Sequence, residues 1–201
     1  MTISSLNELF IHQLKDVYDA EHQLVEALPK LAKAATTPQL KVAFEQHLAE
    51  TRKQVTRLKD VFADCGEYPG REPCDGMKGL IEEGEQMIKH ADEPGVKDAA
   101  LIAAARKVEH YEIATYGSLI AWAETVGFTS ARRLLEESLE EEKAADEKLT
   151  DLAESTVNAT AANELEEEDE TGSARTTPRG RGATVDRSRS SAPARSHRAK
   201  K

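Results

Sequence analysis

Acidic residues interrupt the apolar stripes of several predicted helices in this 201-residue chain. Glu21 has apolar residues four and seven positions before it and three and seven positions after it, so it lies on an otherwise apolar helix face. Glu142 is placed in a similar way, and Glu109 and Glu112 fall on the apolar stripe of another segment. Because burying an unpaired carboxylate costs on the order of several kcal/mol, acids at these positions need a shared explanation.

A second group of polar residues extends this pattern. Glu50 lies one turn from His47 and four residues before Gln54, at the edge of an apolar face, and Asp146 lies one turn beyond Glu142. Hard oxygen ligands suit Fe, Mn, Mg or Ca, and four or more carboxylates can hold two divalent ions. The alternative for each acid is a solvated or salt-bridged position, since the chain has 37 acidic residues. The predicted metal ligands are Glu21, Glu50, Gln54, Glu109, Glu112, Glu142, Asp146 and His47.

Long amphipathic helices must position these side chains. Apolar residues recur at three- and four-residue steps in four segments, and almost no strand pattern is present. Ser5 and Glu8 have the spacing of a capping box at the first start, and Thr37 and Thr129 are the predicted N-caps of the second and fourth helices. Pro29 predicts a kink or an early end of the first helix. The predicted helices cover about 4–35, 38–64, 96–126 and 130–154.

The connections between these helices predict the topology. Two or three residues join the first helix to the second and the third to the fourth, which makes each pair antiparallel. About thirty residues, 65–95, separate the pairs, and they contain turn residues and a short apolar-periodic stretch at 77–91. We therefore predict an all-α, ferritin-like four-helix bundle over 1–157, in which a long crossover with a short helix joins two hairpins. The alternative is an up-down bundle with a long loop.

The end of the chain differs in composition from the rest. Six of the seven residues in 164–170 are acidic, whereas 171–201 contain seven Arg, two Lys and one Asp, in a chain of net charge −10. Both blocks have the composition of disordered chain, so 158–201 is predicted to be a disordered tail. Its basic part, 171–201, has the charge to associate with nucleic acid. The alternative is a solvated tail that folds back on the acidic part of the protein.

Several classes of protein are excluded by composition. The longest apolar run, 99–105, is far shorter than the roughly 20 residues that span a bilayer, and no basic stretch precedes an apolar one at the N-terminus. Cys65 and Cys74 are too few for a disulfide framework, and no Cys or His pair accompanies them to form a zinc site. Reduced thiols are expected, with a reversible disulfide as the alternative. These features predict a cytoplasmic protein without a membrane partner.

Landmark stretches occur in every predicted helix and in the crossover. They are LKDVYDAE at 14–21, FEQHLAET at 44–51 followed by Gln54, Arg57 and Leu58, then Cys74, Met77, Gly79 and Leu80, and DAALI at 98–102, VEHYEIA at 108–114 and LEEEKAADEKL at 139–149. Through these residues the chain resembles the YciE/YciF family of bacterial ferritin-like proteins over about 4–155. The resemblance implies a ferritin-like bundle with a dinuclear metal site, discussed as di-iron, and a role in bacterial stress response.

The wider ferritin-like pattern takes one Glu from each of two helices and Glu-x-x-His from each of the other two. Glu21 and either Glu109 or Glu112 match the single-Glu positions, while Glu50 and Glu142 match the first positions of the pairs. This chain has Lys and Ala where the two His residues would stand. The nearest substitutes are Gln54, Asp146 and His47.

These observations together predict a protein that binds two Fe or Mn ions per chain. Oxidation of the metal pair by peroxide or oxygen, as in an oxidase or a peroxidase, is the expected chemistry, with a homodimer as the expected assembly. One alternative is a non-enzymatic, stress-induced binding protein. The other is a nucleic-acid-associated protein that acts through its Arg-rich tail.

Overall fold

The computed structural model describes residues 2–163, and these residues are almost entirely helical. A π-helical turn, Ala153–Val157, follows the fifth α-helix, and the chain stays helical over 158–163. The rest of the predicted tail, including the acidic block 164–170 and the basic block 171–201, lies outside the described residues. The α-helices are α1 (Leu6–Ala34), α2 (Pro38–Asp64), α3 (Asp75–His90), α4 (Pro94–Val126) and α5 (Thr129–Leu152).

Four of the helices pack in a ring. α1 packs on α2, α2 on α5, α5 on α4 and α4 on α1, while the short helix α3 lies against α4 and α1. Residues 35–37 join α1 to α2 and residues 127–128 join α4 to α5, so both pairs are tight antiparallel hairpins. The predicted four-helix bundle is confirmed, with α3 inside the long crossover. Within the described residues, no helix has the length and apolar content needed to cross a bilayer.

The first helix starts at its predicted cap. Ser5 is the N-cap residue, and the Glu8 amide donates to Ser5 Oγ at 3.2 Å. In return, the Glu8 carboxylate accepts from the Ser4 amide at 2.7 Å. The early end expected at Pro29 is wrong, because α1 continues to Ala34. Pro29 is exposed, and buried apolar residues on both sides of it, Leu28 and Ala32, hold the helix against the bundle.

Aspartates from other helices accept hydrogen bonds from backbone amides just before α2 and in the first turn of α5. Asp98 of α4 is fully buried and accepts from the Thr36 and Thr37 amides at 2.8 and 2.7 Å and from the Thr36 hydroxyl at 2.8 Å. Thr37 is the N-cap residue of α2, but its side chain makes no capping bond. The N-cap of α5 is Phe128 and not Thr129, because the helix already begins at Thr129. Asp64 of α2 accepts from the Ala131 amide in its first turn at 2.9 Å.

The apolar core is divided into two clusters along the bundle axis. One cluster contains the N-terminal part of α1 and of α5 and the C-terminal part of α2 and of α4, including Phe10, Phe62 and Leu119. The other contains the opposite ends, including Phe44 and Leu101. Between them lies a layer of buried polar side chains, contributed by all four bundle helices. We call this set the polar layer, and its members are Glu21, His47, Thr51, Gln54, Glu109, Glu112, Ser138 and Glu142.

Candidate metal centre

Four side chains of the polar layer converge on one point. His47 comes from α2, Glu109 and Glu112 from α4, and Glu142 from α5, and all four are buried. Each offers one ligand atom, and these atoms all lie within 4.8 Å of one another. One helical turn separates Glu109 from Glu112, so both carboxylates leave the same face of α4. We call this set the four-residue cluster.

Many polar atoms of the polar layer have no hydrogen-bond partner. His47 Nε2 lies 3.3 Å from Glu109 Oε1 and 3.9 Å from Glu142 Oε2, yet neither ring nitrogen of His47 is hydrogen-bonded. Buried acceptors without donors are costly, whereas a cation among them would satisfy several at once. Three carboxylates and an imidazole are a donor set that suits Fe or Mn. The unpartnered atoms are Glu21 Oε2, His47 Nδ1 and Nε2, Gln54 Oε1, Glu109 Oε2, Glu112 Oε1 and Oε2, and Glu142 Oε2.

Glu21 of α1 approaches the cluster from the remaining helix. Its side chain is fully buried, and its Oε1 accepts a hydrogen bond from the Tyr116 hydroxyl of α4. Its Oε2 has no partner. Burial raises the pKa of Glu112 most, and the negative charges of Glu142 and then of Glu21 add to this rise. The three carboxylates therefore share one electrostatic environment.

Gln54 holds the side chain of Glu142. Its Nε2 donates to Glu142 Oε1 and, at 3.1 Å, to Glu141 Oε2. Arg57 fixes Glu141 through two bonds of 2.7 and 2.9 Å and donates to Ser138 Oγ at 2.8 Å. The sequence predicted Gln54 as a ligand, and in the structure its amide nitrogen faces the carboxylate of Glu142. The roles of Arg57 and Glu141 were missed, although Arg57 lies three residues after Gln54 on the same helix face.

Two of the predicted ligands lie outside the four-residue cluster. Asp146 forms an ion pair with Arg106 of α4, at 2.8 Å to Nε and 3.3 Å to Nη2, because its position on α5 faces this half-exposed cation. Glu50 is half-exposed at the rim, and its Oε2 lies 4.0 Å from His47 Nδ1. The structure therefore brings together His47, Glu109, Glu112 and Glu142, places Glu21 and Gln54 beside them, and leaves Glu50 and Asp146 at the periphery.

Burial and mutual repulsion change the protonation of these groups. Burial, with the charge of Glu142 next, raises the pKa values of Glu21, Glu109 and Glu112 well above the usual value of 4.5. Burial also raises the pKa of Glu142 to about 7, while hydrogen bonds from Glu109 and Gln54 limit the rise. Burial lowers the pKa of His47 to about 4, so its imidazole is neutral near pH 7 and can ligate a metal.

The two cysteines take no part in this centre. Both Cys65 and Cys74 are free thiols in the structure. Cys74 is buried at the start of α3, where its Sγ accepts from the Met77 amide at 3.4 Å and lies 2.9 Å from the Tyr111 hydroxyl. Cys74 thus caps a helix, as a structural residue does.

The fold and the site define a helical bundle with a buried His and carboxylate cluster that is compatible with metal binding. Comparison with known proteins agrees with this class. Residues 5–162 match the family described as a domain of unknown function, DUF892, and the chain belongs to this family.

Relatives of known name support the assignment. Protein YciF of Escherichia coli K12 is 49% identical over 164 residues, which cover 81% of this chain and 99% of YciF. The crystal structure of the E. coli stress protein YciF matches with a TM-score of 0.75, over 78% of this chain and 99% of that one, at 49% identity. The resemblance seen in the sequence is confirmed.

Two further solved structures are similar. YcfI from Rhodopseudomonas palustris has a TM-score of 0.73 and 44% identity, over 74% of this chain and 94% of its own. A protein from Xanthomonas campestris pv. campestris has a TM-score of 0.63 and 21% identity, over 80% of this chain and 99% of its own, and shares the fold.

Proposed function

We propose that this protein binds two Fe or Mn ions in its polar layer and that the loaded centre reacts with peroxide or oxygen during a stress response. The convergence of four buried donor side chains whose atoms lack hydrogen-bond partners supports this proposal most directly. The stress role is proposed from the relative, because E. coli YciF is described as a stress protein.

The buried donors can be divided between two ions. The four-residue cluster would hold one of them. Glu21, together with the neighbouring carboxylates of Glu112 and Glu142, would hold the other. The bound pair would supply one-electron redox chemistry toward an oxidant.

The residues around these ligands hold them in place. Tyr116 donates to Glu21, and Gln54 donates to Glu142, which restricts the rotation of both carboxylates. The two apolar clusters on either side of the polar layer keep bulk water from the ligands and strengthen their attraction for a cation. These are the properties of a preorganised site.

Metal content tests the proposal. Protein purified without chelator, and the same protein after anaerobic loading with Fe(II) or Mn(II), is analysed by mass spectrometry beside a Glu112→Gln/Glu142→Gln double variant. Glu147→Gln is the matched control, since Glu147 is exposed on α5 near Glu142. We expect about two ions per chain in the wild type and the control, and a loss of metal in the double variant. A wild type that stays metal-free after loading would exclude a metal centre, and a single ion per chain would exclude a dinuclear one.

The partners remain predictions. The homodimer is one of them, and the association of residues 171–201, which lie outside the described residues, with nucleic acid is the other.

A further inference from the structure

A cleft between α2 and α5 leads from the surface toward the four-residue cluster. Its volume is about 100 Å³. Small side chains, Ala43 of α2 with Ala144 and Ala145 of α5, leave this gap between the two helices. A larger apolar cavity between α1, α3 and α4 is lined by none of the four cluster residues, so it does not reach the same point.

The inner end of the cleft is formed by two side chains of the four-residue cluster. His47 and Glu109 both line it, and both are more than nine-tenths buried. His47 Nδ1 and Glu109 Oε2 have no hydrogen-bond partner. A polar pocket floor of this kind is unusual, because buried polar atoms are normally paired.

The outer end of the cleft carries a half-exposed carboxylate. Glu50 lines the cleft, and its Oε2 lies 4.0 Å from His47 Nδ1, which is on the far side of the ring from Nε2 and Glu109. Glu50, His47 and Glu109 therefore form a continuous series of donor groups from solvent to the cluster. Lys148 also lines the cleft and donates a hydrogen bond to Gln46 Oε1.

We propose that this cleft is the port through which divalent metal ions reach and leave the centre, with Glu50 as their first ligand. This inference rests on the proposed metal-binding function. A hydrated cation gives up its water stepwise, so a path that offers a protein donor at each stage lowers the barrier to binding. The carboxylate of Glu50 attracts cations to the mouth, whereas the ammonium of Lys148 repels them.

Loading kinetics of the full-length protein test the port. Metal-free protein is mixed anaerobically with Fe(II) at low salt, the reaction is stopped with excess chelator at set times, and bound metal is counted. We expect Glu50→Gln to load several-fold more slowly and Lys148→Gln several-fold faster than the wild type. Ala145→Leu, which fills the gap, should load about tenfold more slowly than the wild type. Glu45→Gln, an exposed acid on the same helix, should load at the wild-type rate.

The final metal content separates the outcomes. All four variants should reach the wild-type number of ions, because the port changes the rate and not the equilibrium. Wild-type loading rates in both charge variants, Glu50→Gln and Lys148→Gln, would overturn the port while leaving the metal centre intact. A lower final content in Glu50→Gln would make Glu50 a resident ligand and overturn its role at the port. A wild type that binds no metal would overturn the proposed function itself. The charge variants retain the side-chain size, so the test does not depend on Ala145→Leu folding.

Discussion

Nε2 of His47 lies 3.3 Å from Oε1 of Glu109, yet the imidazole makes no hydrogen bond through either nitrogen. The two residues come from α2 and α4, which are diagonal in the ring of four helices. Their side chains therefore meet across the bundle axis, where both are removed from water. This arrangement is compatible with a cation bound between the two side chains, and the predictions below test that proposal.

Replacing a buried acid of the centre should stabilise the metal-free protein. Both oxygens of Glu112 are unpartnered in the buried polar layer. Glu112→Met keeps the length of the side chain and removes the buried polar group, so we expect the chelator-treated protein to gain about 1–3 kcal/mol in its free energy of unfolding. The variant should no longer be stabilised by added Fe(II) or Mn(II). Denaturant unfolding with and without metal measures both effects.

Glu147→Met is the control for this experiment. Glu147 is exposed, so its replacement should leave unfolding and metal response close to the wild type. If metal-free Glu112→Met proves less stable than the wild type, Glu112 has a structural partner in the folded chain and the interpretation of the polar layer is wrong.

The metal-free protein should lose stability as the pH rises above about 6.5. Burial raises the pKa of Glu142 to about 7 and the pKa values of Glu21, Glu109 and Glu112 well above 4.5, so the folded chain holds these protons more tightly than the unfolded chain. Their stabilising effect is complete below pH 4.5 and is lost as the pH rises through the folded values.

The imidazole of His47 changes the stability in the opposite direction, but over a lower pH range. Its folded pKa of about 4 lies below the usual 6.5, so it reduces stability only as the pH falls below 6.5. Melting temperatures of chelator-treated protein between pH 6.5 and about 8 should therefore report the carboxyl groups, and they should decrease. Metal-loaded protein should decrease less, because a bound cation favours the ionised carboxylates. A flat profile in the metal-free protein would contradict the raised pKa values.

The sequence predicted the positions of the buried acids because helical periodicity determines which residues share a face. Glu21, Glu109, Glu112 and Glu142 lie on apolar stripes, and the structure buries all four. Periodicity could not decide between His47, Gln54 and Asp146 as additional donors. Each lies within one turn of a stripe position, and the rotation of α2 and α5 about their axes, which tertiary packing sets, decides which of them points inward.

The sequence also could not predict ion pairs and hydrogen bonds between residues that are far apart along the chain. Arg106 lies 40 residues from Asp146 along the chain, and their ion pair depends on the way α4 and α5 pack. The N-terminal cap of α2 is a similar case. Thr37 is the N-cap residue, as predicted, but the oxygens that accept the Thr36 and Thr37 amide hydrogens belong to Asp98, 62 and 61 residues away.

Removal of that aspartate should destabilise the fold without affecting metal. Asp98→Ala removes the fully buried carboxylate that accepts from the Thr36 and Thr37 amides, so we expect a loss of about 2 kcal/mol in the free energy of unfolding. Because Asp98 is not part of the polar layer, the metal content of the folded protein should be unchanged. Asp92→Ala, an exposed change just before α4, is the control. A loss of metal from folded Asp98→Ala would mean that the hairpin connection positions the centre.

The hydroxyl of Tyr116 should matter for both stability and metal affinity. It is the hydrogen-bond donor to Glu21, and both side chains are fully buried. Tyr116→Phe leaves a buried carboxyl group with no donor, so we expect the metal-free protein to lose about 1–3 kcal/mol in its free energy of unfolding. The side chain of Glu21 would also be free to rotate. The proposed ion that Glu21 holds should therefore bind more weakly.

Calorimetric titration with Mn(II) distinguishes these effects. The variant should bind one ion tightly and a second ion with an affinity about tenfold lower than in the wild type, as expected when a residue that orients a ligand is removed. Tyr68→Phe removes an exposed hydroxyl and should bind like the wild type. Equal loss of both ions in Tyr116→Phe would show that Glu21 does not serve a separate ion, whereas unchanged binding of both would show that Tyr116 only packs in the core.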